Sequence, residues 1–590
     1  MIILLHFYYY YQKGYAMSKI AIIGFGARGL SVFERFISKI LARNITTKVD
    51  IYIFDPSSLG SGCHKITESS RLLANTVASQ MSIFADETIC KNEFFIKGPN
   101  FYDFLLMKGY KAQKNGYYAR TLLGEYLEYS FSFIKEFCPN NVTLHIIKEK
   151  AISVSKQNNN FVITSTNNKI KVNALFITTG HPEQVSNSNE ISAYPTDIAT
   201  ANLSHKDTVA IKGLGLSAID LITLLTSGYG GHYENVNDEL VYFPSGKEPK
   251  ILAFSRSNLP LMARAITQKE VREQYQPLFF TAKKIKKLLQ NNSKLNFEKE
   301  ILPLITKEME YVYSYTYIAT HQSIEDSFIF KNQYILLKDH RKLIDKYIPK
   351  KSQFDFQKLI DPIGKSKNTD EFRNKIIKYL EQDIKEASLG NLTSPIKAAC
   401  DVLRDVRDVL RLCIDFGALS EESYKFFMRF FVPLNNRLCV GPPLIKIKEL
   451  LALIKAGTVE ILSSAKTHSI NKNKIRLIDS FSKIYQVDRL INARIDSLNI
   501  KDDELLSSMI HNGLATKFKN GSLEFECLQI DTNFQSVIKN NKVIENLFIL
   551  GLPTEGIKFY TFILPRPFIS STFLSDSDRA ITTLIENLGL

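Results

Sequence analysis

The chain has 590 residues, enough for about two to four domains, and its 45% apolar content is ordinary for a globular protein. Its net charge is +15, but no basic tail, RNA-binding signature or dense basic block accompanies that charge. We therefore interpret it as a solvated basic surface, and we expect no nucleic-acid partner. The seven cysteines are scattered without a C-x-x-C pair, which argues against a disulfide framework, a zinc site and a dithiol reductase.

The first 16 residues are apolar and aromatic, but they lack the basic start and the small-residue cleavage site of a secretory signal. Their apolar run is too short to span a bilayer. Met17 stands immediately before the first strand pattern, so we interpret residues 1–16 as an N-terminal extension that arises from an upstream start codon. A contact with a membrane surface is the alternative. No other stretch reaches transmembrane length, and we expect no membrane partner and a cytoplasmic location.

A strand–turn–helix pattern follows this extension. The apolar run Ile20–Ile23 leads into Gly24-x-Gly26-x-x-Gly29, and an amphipathic helical pattern comes directly after it. In such a turn the first glycine allows the tight bend and the second lets the backbone approach a pyrophosphate, while the third lets the helix pack on the strand. The pattern predicts a dinucleotide site, although one motif of this kind is weak evidence when it stands alone.

The second strand pattern, at residues 48–54, ends in an acid. Asp55 occupies the position at which the ribose hydroxyls of a dinucleotide are usually held. Gly60 and Gly62 follow in a loop that is able to approach a cofactor closely. We assign these three residues to the first dinucleotide site.

Polar residues interrupt the apolar stretch 71–86. Asn75 and Gln80 carry amide groups suited to the polar edge of a flavin ring, and Met81 adjoins them. A helix cap or a loop hydrogen bond is the alternative role of these amides. Further on, a buried strand pattern at residues 174–179 ends in Gly180, and in two-domain flavoproteins such a strand closes the first pass through the FAD domain.

A second strand–turn–helix pattern follows. The strand pattern at residues 208–212 leads into Gly213-x-Gly215-x-Ser217-Ala218, in which alanine replaces the third glycine. The strand pattern at residues 250–254 ends in Ser255-Arg256 and not in an acid. Because an arginine pairs with a 2′-phosphate that an acid would repel, we predict that the second site binds NADPH.

Residues 265–435 carry helical patterns joined by loops rich in lysine and asparagine. Within them the stretch 398–413 aligns Arg404, Arg407 and Arg411 on one helical face, with aspartates on an adjacent face. The arrangement is either a solvated ladder of ion pairs or an arginine face at the mouth of a site for a carboxylate substrate. Both interpretations stay open.

Two other arginines are candidate anchors for a substrate carboxylate. Arg437 lies in a predicted loop bounded by proline and glycine, a position that favours ligand contact, and Arg264 follows the second nucleotide site. A guanidinium can hold a carboxylate by two hydrogen bonds, and structural ion pairs are the alternative role. Near the C-terminus, a strand pattern at residues 546–550 ends in a turn with Gly551 and Thr554, which we expect to return to the ribityl and pyrophosphate groups of FAD.

In this order the motifs resemble the bacterial family described as FAD-NAD(P)-binding proteins, a branch of the two-dinucleotide-domain flavoproteins. The resemblance rests on IAIIGFGARGLSVFER, LLANTVASQMSIF, GLGLSAID, PSGKEPKILAFSRSNLPLMARA, LTSPIKAACDVLRDVR, LINARI and LGLPTEG. It implies FAD on the first glycine motif and NAD(P)H on the second. Some members resemble flavin-dependent N-hydroxylating monooxygenases, including aspartate N-hydroxylases of nitrosuccinate-type pathways.

We expect an α/β fold with two Rossmann-like dinucleotide-binding domains, for FAD and NADP, and a largely helical insertion. The expected segments are the extension 1–16, the FAD-binding segments 17–205 and 496–590, the NADP-binding segments 206–270 and 436–495, and the helical insertion 271–435.

The predicted function is that of an FAD-dependent, NADPH-using monooxygenase that hydroxylates an amine of an amino-acid-like substrate. Oxygen would be inserted through a flavin C4a-hydroperoxide, so that the cofactors supply most of the chemistry and no metal is required. An NAD(P)H-dependent flavin oxidoreductase without oxygen insertion is one alternative. A non-catalytic, redox-responsive FAD-binding protein is another. A homo-oligomer is compatible with the sequence, which does not determine the oligomeric state.

Overall fold

The computed structural model describes residues 17–182, 190–337, 339–471, 474–494 and 498–590, so the predicted extension 1–16 lies outside the described residues. Parallel sheets and helices alternate, which confirms the predicted α/β class. The strands are β1 (Ser18–Ile23), β2 (Val49–Phe54), β3 (Val142–Ile147), β4 (Ala151–Gln157), β5 (Asn160–Ser165), β6 (Lys169–Val172), β7 (Ala174–Ile177), β8 (Ile191–Ser192), β9 (Thr208–Lys212), β10 (His232–Val236), β11 (Glu239–Phe243), β12 (Lys250–Ser255), β13 (Val459–Ser463), β14 (Lys466–Asn471), β15 (Lys474–Ile478), β16 (Ile484–Val487), β17 (Arg489–Asn492), β18 (Lys517–Asn520), β19 (Leu523–Leu528), β20 (Gln535–Ile538) and β21 (Lys542–Ile549).

The helices are α1 (Ala27–Ala42), α2 (Phe101–Met107), α3 (Arg120–Glu136), α4 (Thr196–Thr200), α5 (Leu216–Thr226), α6 (Ala282–Asn291), α7 (Leu302–His321), α8 (Ile324–Leu336), α9 (Arg341–Tyr347), α10 (Phe356–Ile360), α11 (Thr369–Leu389), α12 (Pro395–Asp405), α13 (Arg407–Ile414), α14 (Glu421–Phe426), α15 (Val432–Cys439), α16 (Leu444–Lys455), α17 (Glu504–His511) and α18 (Thr572–Leu588). Among the described residues, no helix combines the length and the apolar character needed to cross a bilayer.

The first sheet has the strand order β20-β21-β7-β1-β2-β3, and all of its neighbouring strands run parallel except β20 and β21. In its central strands, residues 20–23 of β1 and all of β7 are buried and apolar, as expected for parallel strands covered on both faces. Phe176 of β7 stacks on Phe548 of β21, with 4.8 Å between the ring centroids. We call this sheet and its helices α1, α3 and α18 the first unit.

The second sheet has the order β13-β12-β9-β17-β8, and every neighbouring pair is parallel. It includes β8, so the second sheet begins at Ile191, before the boundary that we predicted at residue 206. Helix α11, which the prediction assigned to the helical insertion, packs its Phe372, Ile376 and Leu380 into the core of this sheet together with α16. We call the second sheet with α5, α11 and α16 the second unit.

Two long helical patterns are interrupted in the structure. The stretch 100–138 forms α2 and α3 with a loop between them, and the stretch 398–413 breaks at Val406 into α12 and α13. The break places Arg404 in α12 and Arg407 in α13, so the predicted single helical face is divided between two helices. The chain between α5 and β12 forms the β10–β11 hairpin, and only residues 244–249 separate β11 from β12.

The remaining helices between β12 and β13 pack around a third core. Its largest buried side chains include Phe297 of a short π-helical turn, Leu403 of α12 and Phe427 at the end of α14. Phe559, from the chain after β21, packs against Phe427 in the same core, with 5.1 Å between the ring centroids. The helical region is therefore fixed to the C-terminal part of the first unit.

Candidate functional site

The two glycine motifs occupy equivalent positions in the two units. The Gly24 N–H donates to the carbonyl of Phe54 at the end of β2 (2.9 Å), and the Gly213 N–H donates to the carbonyl of Phe254 in β12 (2.8 Å). Each loop therefore lies at the carboxyl end of a parallel sheet, where dinucleotides bind in folds of this kind. Ser255 and Arg256 follow directly at the second site, and Arg256 is exposed.

The first loop leaves no room for side chains. Gly24 has φ of +84°, and a Cβ placed on it would lie 2.8 Å from the Cα of Thr179, so only glycine fits there. Gly62 lies directly against Gly26, since a Cβ on Gly62 would lie 2.9 Å from the Gly26 Cα. Gly60 is equally close to α3, and Gly29 is packed onto the carbonyl of Gly24. The two glycine loops of the first unit thus form one surface made of backbone.

The helices that follow the glycine motifs begin without side-chain caps. Gly26 precedes α1 and Gly215 precedes α5, and neither residue caps its helix with a side-chain hydrogen bond. The first N–H groups of both helices are thus left for an anion, and the dipole of each helix favours one. The space above Gly215 is open, because a Cβ there would meet no atom within 4 Å. This backbone cradle fits the pyrophosphate of a dinucleotide at each site.

Asp55, which we predicted at the ribose of the first dinucleotide, contacts the first glycine loop. It is 6% exposed, and its carboxylate accepts hydrogen bonds from the N–H of Phe25 (2.6 Å) and from the N–H of Ser57 (2.9 Å). The carboxylate therefore holds the glycine loop itself. Thr178, which the sequence analysis did not select, adds a second such contact, because its Oγ1 donates to the carbonyl of Gly24 (2.5 Å).

The returning strands also meet this loop. Leu550 donates its N–H to the carbonyl of Ile177, so the ends of β7 and β21 lie side by side. Gly180 is exposed and has open space around its Cα, whereas Gly551 lies beside the side chain of Arg28. The Thr554 hydroxyl donates to the carbonyl of Gly551 (2.7 Å), so it holds a short 3₁₀ turn at residues 552–554.

The three residues that we predicted at the flavin edge lie in and around a 3₁₀ turn at residues 78–80. Asn75 is half-buried in the loop before it, and Met81 is buried after it. Gln80 is buried, and its Oε1 accepts a hydrogen bond from Arg404 (3.3 Å). The amide of Gln80 therefore connects this loop to the helical region.

Arg404 belongs to a cluster of cations. Its second neighbour is Asp401, which it contacts at 3.3 Å, and Asp401 is shared with Lys269 at 2.5 Å. Lys269 also contacts Asp405 at 2.7 Å. The two aspartates are therefore already paired with Lys269. They neutralise the charge of Arg404 only in part, so Arg404 can bind a further anion.

Arg264 and Arg566 complete this cluster, which we call the arginine cluster together with Arg404. Burial, with the nearby charge of Arg404, lowers the pKa of Arg264 to about 10, and the same two causes lower the pKa of Arg566. Within the part of the chain that the structure describes, neither arginine forms an ion pair, and the Nε of each is shielded from solvent without a hydrogen-bond partner. Such orphaned donors next to like charges are suited to a bound anion.

Two tyrosines border the arginine cluster. Burial raises the pKa of Tyr117 and that of Tyr560, and the charge of Arg264 acts on both phenols in the opposite direction. The guanidinium of Arg407 lies over the Tyr560 ring, 4.2 Å from its centroid. Both phenols therefore remain protonated hydrogen-bond donors at neutral pH.

The secondary structure around Arg437 differs from the predicted loop. It lies in α15 and not in a loop, and its Nη2 donates to the carbonyls of Leu359 and Ile360 (the latter at 3.0 Å). The guanidinium thus serves the C-terminus of α10, and we leave it out of the site proposed below. Arg411 likewise holds the chain, since it donates to the carbonyls of Phe559 and Tyr560 and pairs with Asp408 at 2.6 Å.

Sequence reasoning missed Tyr117, Tyr560 and Arg566. Arg566 lies in the segment Pro565-Arg566-Pro567, and the carbonyl of Pro565 accepts a hydrogen bond from Ser82, next to Met81. Two prolines around one arginine could have indicated a rigid loop that presents a charge. The tyrosines carry no comparable local signal.

Two parallel sheets with uncapped glycine loops define a flavoprotein that binds two dinucleotides. A model of the FAD-NAD(P)-binding family matches residues 21–182. The chain is 30% identical to nitrosuccinic acid synthase npaA of Aspergillus oryzae over 609 residues, which covers 96% of this chain and 92% of that protein. It is 27% identical to the L-aspartate N-monooxygenase (nitrosuccinate-forming) of Streptomyces davaonensis, over 95% of this chain and 96% of that one.

Solved structures that match the chain include the cadaverine monooxygenase DfoA of Erwinia amylovora, at 10% identity and a TM-score of 0.40 over 97% of this chain and 94% of that chain. The lysine monooxygenase NbtG of Nocardia farcinica matches at 9% identity and a TM-score of 0.38 over 96% and 100% of the two chains.

The chain belongs to the family of flavin-dependent N-monooxygenases that includes nitrosuccinic acid synthase npaA. The predicted FAD- and NADPH-dependent monooxygenase acting on an amine of an amino-acid-like substrate is thereby confirmed over its two alternatives.

Proposed function

We propose that this protein hydroxylates the α-amine of L-aspartate and that Arg264, Arg404 and Arg566 bind its carboxylates. The names of its relatives, which include L-aspartate N-monooxygenases, support the substrate. The single observation that carries the proposal is the arginine cluster, with two buried orphaned Nε donors. A substrate with two carboxylates provides one anion for each orphaned Nε, and guanidinium–carboxylate pairs have the best geometry for such a contact. The Nη2 of Arg566 also donates to the carbonyls of Val271 (2.9 Å) and Glu273 (3.1 Å), which hold this guanidinium in place.

Charge balance favours a dicarboxylate over a diamine. Lys269, Arg264, Arg404 and Arg566 bring four cations to this place, and only Asp401 and Asp405 oppose them among the described ion pairs. An aspartate with a neutral amine would offset the remaining positive charge, whereas a diamine would add to it. The cluster therefore selects for acidic amino acids.

The cofactors fit the two backbone cradles. In our proposal the first holds FAD through Gly24, Gly26, Gly29, Asp55, Gly60, Gly62, Gly180, Gly551 and Thr554. The second holds NADPH through Gly213, Gly215, Ser217, Ser255 and Arg256, and Arg256 receives the 2′-phosphate. Thr554 contributes by fixing the turn after Gly551, since its hydroxyl is already bonded there. When bound, FAD supplies the electrons taken from NADPH and the place at which O₂ is activated.

The residues of the chain prepare the amine and orient it. Cations around the substrate disfavour its ammonium form, so they lower the pKa of the amine and help to present an unprotonated nitrogen. The carboxylates fix the distance of that nitrogen from the flavin-edge loop, which we propose to contain Asn75, Gln80 and Met81. Gln80 links the flavin-edge loop to the arginine cluster, because it lies in that loop and accepts a hydrogen bond from Arg404.

The reaction balances with the co-substrates of the family. One turn consumes one O₂, one NADPH and one proton. One oxygen atom enters the new N–OH group and the other leaves as water, so that R–NH₂, O₂, NADPH and one proton give R–NHOH, NADP⁺ and water. The product is N-hydroxyaspartate, and further turns on the same nitrogen lead toward nitrosuccinate.

We also propose a cytoplasmic location, which is supported by the free state of all seven cysteines.

The test compares Arg264→Ala with Arg579→Ala, which removes an exposed arginine from α18. Loss of a charge-assisted hydrogen bond, worth about 1.5–3 kcal/mol, should raise KM for L-aspartate about 10- to 100-fold in Arg264→Ala. NADPH consumption and N-hydroxyaspartate are measured with L-aspartate, L-asparagine and cadaverine as substrates. Arg579→Ala should behave as wild type. Turnover of cadaverine without turnover of L-aspartate contradicts the proposal.

A further inference from the structure

A buried ion pair joins the first unit to the second. Arg120, the first residue of α3, contacts the carboxylate of Asp220 in α5 through its Nη2. The hydroxyl of Tyr194 donates to the same Asp220 oxygen at 2.8 Å. The side chains of Arg120 and Asp220 are only 17% and 8% exposed. This group is separate from the arginine cluster, and nothing in the proposed substrate chemistry requires it.

The charges of this group are strongly coupled. Burial alone would lower the pKa of Arg120, but the carboxylate of Asp220 more than offsets burial and raises it. Burial and the same carboxylate raise the pKa of Tyr194 to about 12. Arg120 therefore stays charged and Tyr194 stays a neutral phenol across the working range of pH. An ion pair as shielded as this one leaves an uncompensated charge when one partner is removed.

On the side of the first unit, Arg120 is tied to the flavin-edge loop. Its N–H donates to the carbonyl of Leu72 (2.8 Å), and its Nε donates to the carbonyl of Leu73 (3.3 Å). Ala74 in turn donates its N–H to the carbonyl of Tyr118 (2.9 Å). The chain therefore reaches Asn75 directly from residues held by Arg120.

On the side of the second unit, Asp220 is tied to the nucleotide loop. It lies in the first turns of α5, the helix that begins directly after Gly215. Ser217 lies one turn before Asp220, and its side chain acts to lower the pKa of the neighbouring Tyr194 phenol. The three side chains thus connect the loop proposed for the nicotinamide nucleotide with the loop proposed for the flavin edge.

We propose that Arg120, Asp220 and Tyr194 are positioning residues that set the approach of the nicotinamide to the flavin. They touch neither ring in this proposal. They fix the second unit against the first, so that the two rings meet at the distance that reduction of the flavin requires. A displacement of about 1 Å between reacting groups costs up to 100-fold in rate, which makes such a connection important. The inference uses the two cofactors of the family and is independent of the identity of the amine.

Asp220→Asn tests the pair, because it removes the charge and keeps the shape. Anaerobic mixing of the FAD-loaded variant with NADPH, without amine, should show a limiting rate of flavin reduction that is about 10- to 100-fold lower. Reoxidation of the chemically reduced enzyme by O₂ should be unchanged, because that step needs only the first unit. A limiting reduction rate equal to that of wild type overturns the proposal, whatever happens to the melting temperature.

Arg71→Ala is the matched control. Arg71 also joins the units, since its Nε donates to the carbonyl of Ser227 (3.3 Å), but this contact is exposed and carries no carboxylate. Its removal should leave the reduction rate within a factor of about two, as for other exposed surface contacts. An equal loss of rate in Arg71→Ala and Asp220→Asn would assign the effect to unit contact in general and would overturn the role of the pair.

Two further variants keep the proposal testable if Asp220→Asn loses FAD. Tyr194→Phe removes one hydrogen bond and keeps the ion pair, and it should lower the reduction rate about 2- to 5-fold. Asp220→Glu should recover part of the rate lost in Asp220→Asn. Hydrogen exchange of the peptide covering residues 216–226, measured without NADPH, should be faster in Asp220→Asn and unchanged in Arg71→Ala. Wild-type exchange and wild-type reduction in Tyr194→Phe together overturn the inference.

Discussion

Arg264 is placed by the residue before it. Both backbone groups of Ala263 are bound by one buried ion pair: the N–H donates to Asp383 (2.6 Å), and the carbonyl accepts from Lys397 (2.8 Å). Lys397 and Asp383 contact each other at 2.6 Å. Two side chains thus hold one peptide from both sides, and this fixes the direction from which the Arg264 guanidinium enters the cluster.

This clamp leads to a prediction that separates stability from binding. Lys397→Met leaves Asp383 charged, buried and unpaired, and it should lower the free energy of unfolding by about 3–5 kcal/mol. The double variant Lys397→Met with Asp383→Leu removes both charges and should recover part of that loss. Its KM for L-aspartate should still be raised, because the Ala263 peptide has lost its partners. Urea unfolding and steady-state kinetics measure the two effects, and a wild-type KM in the double variant contradicts the clamp.

Arg256 gives a second prediction at the same scale. An exposed guanidinium at the end of β12 should bind the 2′-phosphate of NADPH, so Arg256→Ala should raise KM for NADPH about 10-fold or more. KM for NADH should stay within a factor of about two, because NADH has no 2′-phosphate. Steady-state kinetics with each nucleotide and saturating amine measure the two KM values. An equal rise for both nucleotides rejects the assignment of Arg256.

Among the structural elements, the loop with Gly60 and Gly62 has no room for side chains at either glycine. Gly62 has φ of +55° and lies against Gly26, so a side chain there is opposed both by its backbone conformation and by lack of space. Gly109 has φ of +82° and open surroundings. The two glycines therefore share one backbone strain, and only Gly62 adds a collision.

Alanine at each position tests this difference. Gly109→Ala should cost only the left-handed strain, about 1–2 kcal/mol, and leave FAD affinity unchanged. Gly62→Ala should weaken FAD binding at least about 10-fold, because Gly26 must move away from the pyrophosphate. Flavin fluorescence gives the dissociation constant, and thermal unfolding gives the stability. Equal FAD affinity in the two variants would mean that the loop does not approach the cofactor.

The elements that sequence could predict are those built from neighbouring residues. Gly24, Gly26 and Gly29 lie within one turn, and their spacing alone dictates the bend, the close approach and the start of α1. The arginine cluster joins residues 264, 404 and 566, whose proximity depends on packing of the helical region, so no local pattern reveals it. Arg437 illustrates the same limit: the proline and glycine around it predict a loop, but tertiary packing makes α15 continue through it.

At the scale of the whole molecule, the proposed site is built from several parts of the chain. Gln80 comes from the first unit, and Arg264 follows β12 of the second sheet. Arg404 belongs to the helical region, and Arg566 follows the last strand, β21. Contacts such as Ser82 with Pro565 and Phe427 with Phe559 hold these parts together. The site is therefore sensitive to any change in how the parts are assembled.

Removal of FAD should lower the stability of the whole folded chain. A ligand that binds only the folded state at a concentration of 100 times its Kd adds about 2.7 kcal/mol of stability. The apoprotein should unfold at a lower temperature than the holoenzyme, and the difference should grow with FAD concentration. Scanning calorimetry at several concentrations of FAD measures this effect, with riboflavin, which lacks the pyrophosphate, as the control. A shift of equal size with riboflavin would show that the glycine loops are not the anchor.

The first and last helices of the described chain meet. Ser31 of α1 lies 2.8 Å from Ser577 of α18 between their hydroxyl oxygens, and Arg28 lies over the ring of Phe573, 3.6 Å from its centroid. The first sheet also takes β20 and β21 from the end of the chain, whereas the strands of the second sheet all lie between Ile191 and Asn492. During synthesis on the ribosome, the second sheet thus has all its strands before the first sheet can close. We therefore expect the proposed flavin site to be completed last, after the second sheet has formed, so that a truncated nascent chain would have no complete site at which to activate oxygen.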